Sequence, residues 1–346
     1  MELYYYGLSD PGMARPNNED YLFAGKLREN EYLFIVADGM GGHQAGEVAS
    51  RKAVTMFVQL LEKQKGFPRA REVNNGIILE GLKHIVNEIN ETLIQEGSRS
   101  AKKNGMGTTL SALYIKDDLC YIVHVGDSRI YMYENVPVPA APGGANPAVA
   151  SGIRLVQLTE DHSFVGKLVK DGFISEEDAR NHPKRNVLYQ TIGLKPDIAI
   201  QTVDAVPLRH GQKFMLCSDG LYGVVSDQEL KATLGGNSTA QIAGQLVKLA
   251  NANGGPDNIS VIIVSTEEDD STKIEDTVKI VAPPPGKTKK QTIWVFILLG
   301  LLVLLLALII YFLLGNTEST PPAPASPEAK TMALLPVSTE LSVKGS

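Results

Sequence analysis

At 346 residues the chain is long enough for more than one domain, yet its apolar content is unevenly spread, and residues 1–266 read as one globular unit with ample material for a core. A net charge of −6, without any basic stripe interleaved with aromatics, excludes a nucleic-acid groove. The only two cysteines, Cys120 and Cys217, sit inside apolar runs and read as buried small hydrophobes of a reducing compartment rather than as a disulfide.

The amino terminus, MELYYYGLSD, has neither the basic region nor the long apolar stretch of a secretory signal, which predicts a cytoplasmic globular unit. Strand-like runs follow at Leu3–Leu8, Tyr32–Ala37, Leu110–Ile115, Leu119–Val125, Ile130–Tyr133, Ile153–Leu158, Ile198–Val203, Lys213–Cys217 and Ile259–Ser265. Helical periodicity marks about Gly46–Glu62, Glu72–Gln95, Asp227–Leu234 and Thr239–Ala252. The strands come in groups rather than alternating with helices, which favours a largely antiparallel α+β sandwich over a doubly wound sheet. Asn135–Gly152, rich in Pro, Ala and Gly, reads as a flexible surface insertion. Glu160–Leu194 reads as a polar, helix-prone excursion able to serve as a lid.

Beyond residue 266 the character changes. Residues 267–292 turn acidic, then proline-rich, then basic, and read as a disordered juxtamembrane linker. Ile293–Leu314 is an uncharged run of 22 residues, which at about 1.5 Å per residue spans a hydrocarbon core of roughly 30 Å. Lys287, Lys289 and Lys290 flank its amino end, and Trp294 and Tyr311 lie near its two ends. The positive-inside rule therefore predicts a single-pass protein at the cell membrane, in contact with lipid, with its globular domain cytoplasmic. Residues 315–346 then form a disordered tail outside.

Four aspartates share one local setting, an apolar run followed by Asp and a small or turn-forming residue: Asp38 in ADGMGGH, Asp127 in GDSR, Asp219 in SDGL and Asp257 in PDNIS. Any one of them is explained by a turn or strand exit. Together with Glu19 and Asp20 in RPNNED they form a set of carboxylates that strand ends can mass in one place, where hard divalent cations with oxygen ligands offset the repulsion. Arg15 offers a planar fork suited to phosphate. No Cys is followed by C-x₅-R, and no D-x-D occurs, so neither of those phosphatase chemistries is available.

Taken in order, R-x-x-N-E-D, A-D-G-M-G-G-H, G-M-G-T-T (Gly105–Thr109), G-D-S-R, T-E-D-H-S (Thr159–Ser163), S-D-G-L and P-D-N-I-S resemble the bacterial branch of the PPM-type (type 2C-like) metal-dependent serine/threonine protein phosphatases over roughly residues 2–265. The resemblance implies a four-layer αββα sandwich, two antiparallel β-sheets flanked by helices. It implies hydrolysis of phosphoserine and phosphothreonine in proteins by a metal-activated water, antagonising a serine/threonine kinase and acting on its substrates. Asp38 would bridge two Mn²⁺ or Mg²⁺ ions, with the Gly39 carbonyl on the first and Asp219 and Asp257 on the second. Asp127, with Asp219, would serve a weaker third site, and Glu19 and Asp20 would be outer or water-mediated partners. Arg15 would clamp the phosphate. Met40 stands where the eukaryotic branch carries a histidine, which leaves His43 or a water as the source of the leaving-group proton.

Overall fold

Almost every residue of Glu31–Met40 is buried, and successive side chains serve different cores. Tyr32, Phe34 and Val36 enter one apolar cluster, while Leu33, Ile35 and Ala37 enter another. A strand covered on both faces reads as a continuous apolar run rather than an alternation, and such strands set the architecture here. The computed structural model describes residues 1–41, 45–63, 75–99, 103, 105–138 and 150–269. The chain divides into two units, Met1–Gly286 and Lys287–Ser346, and every described residue belongs to the first.

The strands are β1 (Tyr4–Asp10), β2 (Asp20–Arg28), β3 (Glu31–Met40), β4 (Gly107–Thr108), β5 (Leu110–Lys116), β6 (Leu119–Val125), β7 (Arg129–Val138), β8 (Ala150–Gln157), β9 (Gln201–Pro207), β10 (Lys213–Cys217) and β11 (Ile259–Ser265). One sheet has the order β1-β11-β10-β7-β8 and the other β2-β3-β5-β6-β9, with β4 paired to β3, and all pairings are antiparallel. Between the sheets lie Phe34, Leu113 and Ile122 from one and Phe214, Leu216 and Ile262 from the other. Helices α1 (Ala45–Lys63) and α2 (Asn75–Arg99) cover the outer face of the second sheet. Over the first sheet lie α5 (Asp219–Tyr222), α6 (Asp227–Leu234) and α7 (Thr239–Ala252). The expected four-layer α+β sandwich is the architecture found. Cys120 belongs to the central layer and Cys217 to the layer under α7, and both are free thiols.

Three expectations need correction. Strand β2 was not foreseen, because Ala24, Gly25 and Lys26 dilute its β-propensity; Leu22 and Ala24 nevertheless face the central core. The expected insertion Asn135–Gly152 starts and ends as a β-ribbon, with Asn135 opposite Ile153 and Val138 opposite Ala150. Pro137 is tolerated there because β10 pairs with β7 only as far as Tyr133, so no second neighbour needs its missing N–H. The run Ile198–Val203 begins too early: Ile198 and Ile200 pack against the core, but pairing with β6 starts at Gln201 and continues to Pro207 through a register shift. Within the excursion, the helices α3 (Phe164–Lys170) and α4 (Glu176–Asn181) each begin at a capping serine, Ser163 and Ser175.

The last described residues are tied down. Glu267 pairs with Lys213 at 3.4 Å, and both the backbone N–H and the hydroxyl of Thr239, at the start of α7, donate to Asp269. Among the described residues no helix is long and apolar enough to cross a membrane. The linker from residue 270, the predicted span 293–314 and the tail 315–346 lie outside the described residues.

Replacing Phe34, fully buried between the sheets, by Ala should cost about 3–5 kcal/mol. Replacing Phe173, 73 % exposed, should stay within about 0.5 kcal/mol. Urea titration of the two variants checks the contrast.

Candidate active site

Antiparallel register brings the aspartates together. Asp20, the first residue of β2, lies opposite Asp38 near the end of β3. The β6–β7 link, Gly126–Asp127–Ser128, is not a hairpin within one sheet: it carries the chain from the second sheet to the first at this same end. Strand β10 ends at Cys217, opposite Arg129 and Val261, so Ser218–Asp219 leaves at that end. Strand β11 begins at Ile259, opposite Asp10, which places Asp257 there too. Arg15, Glu19, Asp38, Gly39, Asp127, Asp219 and Asp257 all line one cleft of about 710 Å³. Asp20 does not line it; it sits behind, buried.

Side chains that sequence reasoning passed over hold these groups in place. Asp38 is clamped by the G-M-G-T-T segment: its N–H donates to Thr109 Oγ1 at 2.8 Å, and its carbonyl accepts from Thr109 N and Thr108 Oγ1. Thr109 Oγ1 lies 2.6 Å from Ser128 Oγ, which couples that clamp to the Asp127 turn. Gly126 has φ +113°, and a Cβ there would stand 2.6 Å from the Thr109 side chain, so only glycine fits. At Gly39 a Cβ would stand 2.2 Å from the Gly46 carbonyl and 2.5 Å from that of Glu19. Ser218 Oγ donates to Asp20 Oδ2 at 2.7 Å. The Asn258 amide pins the Arg15-bearing loop by donating to Pro11 O and Asn17 O while accepting from Glu19 N.

Burial and mutual repulsion dominate the electrostatics. Burial first, then the neighbouring carboxylates, holds Asp38 and Asp127 well above the ordinary carboxylate range. Burial pushes Asp20 up to about 7, and burial together with Asp257 pushes Asp219 up to about 6. One oxygen each of Asp20 and Asp219 is buried without a donor. Arg15, half exposed, donates to Asp257 at 2.8 Å.

An all-oxygen donor set with two orphaned carboxylate oxygens suits hard divalent cations. Among the described residues no three His, Cys, Asp or Glu side chains converge as a ready-made cage; Asp257 turns instead to Arg15 and Asp20 to Ser218. Few direct protein ligands suit Mg²⁺ or Mn²⁺, which keep several waters of their own. His43 lies outside the described residues.

The sequence did not disclose the partner of the GDSR arginine. Buried Arg129 forks onto Asp161 of the T-E-D-H-S segment, with Nε at 2.9 Å and Nη2 at 2.7 Å, and its guanidinium stacks 3.7 Å from the Tyr222 ring centroid. Tyr222 in turn donates to the Asp127 carbonyl at 2.9 Å. A second brace runs through histidines. His162 Nδ1 accepts from Gly126 N, and His124 Nε2 faces the carbonyls of Gly126 and Glu160. Burial and the nearby His162 push His124 down to about 3, so it works as a neutral donor.

The sequence profile described as "Protein phosphatase 2C" matches residues 15–248. The chain is 34 % identical over 260 residues to the "Serine/threonine phosphatase stp" of Listeria monocytogenes, covering 75 % of this chain and 94 % of that one. It is 36 % identical over 266 residues to the "Protein phosphatase PhpP" of Streptococcus pneumoniae, covering 76 % and 98 %. Among solved structures, the catalytic domain of the serine/threonine protein phosphatase PstP in complex with two manganese ions superposes with a TM-score of 0.59 at 31 % identity, covering 76 % of this chain and 97 % of that one.

Asp161→Asn, which leaves buried Arg129 without its full counter-charge, should cost about 3–5 kcal/mol. A fall in thermal midpoint, measured calorimetrically, checks the value.

Proposed function

The chain belongs to the protein phosphatase 2C family and is a serine/threonine protein phosphatase, and from that premise we propose that it is a metal-dependent enzyme tethered at the membrane, where it reverses the action of a serine/threonine kinase. The observation that supports the catalytic reading best is the convergence of Asp38, Asp127, Asp219, Asp257 and Arg15 on one cleft. Asp38, the Gly39 carbonyl, Asp219 and Asp257 would hold two Mn²⁺ or Mg²⁺ ions, and Asp127 with Asp219 a weaker third. When bound, such ions lower the pKa of water and neutralise charge on phosphoryl oxygens.

The protein's own residues do the positioning. The clamp from Thr108 and Thr109 fixes the Asp38 backbone, so the side chain is aimed before substrate arrives. Arg15 has half of its side chain in solvent and can exchange Asp257 for a phosphoryl oxygen, which suits its fork. Ser218 holds Asp20 from behind, and Asn258 holds Glu19, so the outer carboxylates are fixed relative to the inner ones. His43, three residues after Met40 in the sequence, is the side-chain candidate for protonating the leaving oxygen.

The membrane reading rests on Ile293–Leu314 and its lysine flank, which orient the catalytic domain to the cytoplasm and the tail outward. It favours a membrane-associated kinase and that kinase's substrates as partners.

Asp38→Asn and Asp219→Asn should each lower Mn²⁺-dependent hydrolysis of a phosphothreonine peptide by at least ~10²-fold, and should weaken Mn²⁺ binding by calorimetry, with the circular dichroism spectrum unchanged. Near-native turnover in either variant would sink the assignment. The full chain should sediment with membranes and resist carbonate extraction, whereas a chain ending at Gly286 should be soluble; equal partitioning of the two rejects the anchor.

A further inference from the structure

Asp127 is the cleft aspartate whose backbone chemistry is loosest. It follows Gly126, where the φ of +113° and the 2.6 Å approach of the Thr109 side chain exclude every other residue. Glycine's conformational freedom leaves the next residue's position slack unless something outside the turn takes it up. Asp38, by contrast, lies within β3, and Asp219 opens α5.

His162 of the T-E-D-H-S segment takes up that slack. Its main-chain N–H donates to Gly126 O at 2.7 Å, and its ring Nδ1 accepts from Gly126 N at 3.2 Å. One residue thus holds the peptide planes on both sides of the Gly126 Cα. His124 Nε2 adds a second donor to Gly126 O at 3.0 Å, and Tyr222 holds the Asp127 carbonyl on the far side. The hydrogen bonds of His162 run to Gly126 and to Tyr189 N, and to no part of Asp38, Asp219 or Asp257 among the described residues.

The ring's chemistry is specific. Gly126 N carries the proton of that bond, so His162 Nδ1 is bare and the ring proton sits on Nε2. Burial disfavours the imidazolium, which would turn Nδ1 into a donor facing the Gly126 N–H. Packing fixes the plane of the ring. Its centroid lies 5.0 Å from that of His124, which is fully buried, and 5.7 Å from that of Tyr189, which lines the cleft.

Resting on the reading that Asp127, with Asp219, holds a weaker third cation, we propose that His162 is a positioning residue for that ion alone. Its bare Nδ1 fixes the Gly126–Asp127 turn, the turn fixes the Asp127 carboxylate, and the third ion's affinity follows. The two ions assigned to Asp38, Gly39, Asp219 and Asp257 are set by other bonds and do not depend on this ring. His162 touches neither ion nor substrate; it acts through the main chain of the turn.

The test titrates the full chain with Mn²⁺ and counts the free ion by electron paramagnetic resonance. Asp127→Asn should abolish the weakest binding event, which marks that event as the one Asp127 serves. His162→Phe keeps the stacked ring but has no acceptor; it should weaken the same event about ten-fold and leave the tighter ones within about two-fold. His162→Asn lacks the ring, but its Oδ1 stands as many bonds from the Cα as Nδ1 does, and it should recover most of the lost affinity. An unchanged weak event in His162→Phe overturns the proposal, as does a loss of all events together, or a His162→Asn variant no better than His162→Phe. The two levels separate cleanly. A weak event that survives Asp127→Asn, or none in the native chain, removes the third-ion reading and the histidine's role with it. An event lost in Asp127→Asn but untouched in His162→Phe removes the histidine's role alone.

Discussion

Like charges confined in a low-dielectric place repel by several kcal/mol at contact distance, and this chain places five aspartates and a glutamate around one end of a β-sandwich. Everything near that end is arranged to hold the repulsion in check. Asp257 takes Arg15, and Asp20 takes Ser218. Each arrangement is local and replaceable. A site built to exchange its counter-charges can admit cations or a phosphoryl group without first breaking the fold, because the backbone beneath is held by other bonds.

Those other bonds form a frame that does not touch the carboxylates' oxygens. Thr108 and Thr109 hold Asp38 through its main chain, Tyr222 holds Asp127 through its carbonyl, and His162 holds Gly126 through its N–H. Arg129 joins the frame to the excursion by its fork on Asp161. Position is thereby separated from charge. The side chains remain free to respond to ligands while their Cα atoms stay fixed, which is the condition for a preorganised electrostatic site.

Much of this was legible in the sequence, for physical reasons. Lys213–Cys217 and Ile259–Ser265 were read at their true bounds because both are short apolar runs closed by turn residues, and Asp227–Leu234 because Ser226 and Glu229 form a capping box at its start. The gathering of the aspartates followed from their common place after apolar runs. What stayed hidden depended on contacts across the chain. The Arg129–Asp161 fork joins residues 32 positions apart, and the Thr109–Ser128 bond joins residues 19 apart. The motifs contained all these residues without saying which touched which. Strand β2 was missed because a small residue, a glycine and a lysine dilute its pattern, although its partner β3 was plain.

The tie at the end of the described chain has a mechanical meaning. Strand β11 starts beside Asp257 and runs seven residues, roughly 23 Å, before Ser265. Beyond it the chain is fastened at Glu267 to β10 and at Asp269 to the first turn of α7. Tension applied from residue 270 onward would therefore load Thr239 and Lys213 before it reached β11, and would enter at the pole opposite the aspartates. The fastening acts as strain relief, so a pull on the end of the domain is absorbed before it can disturb the geometry of the cleft.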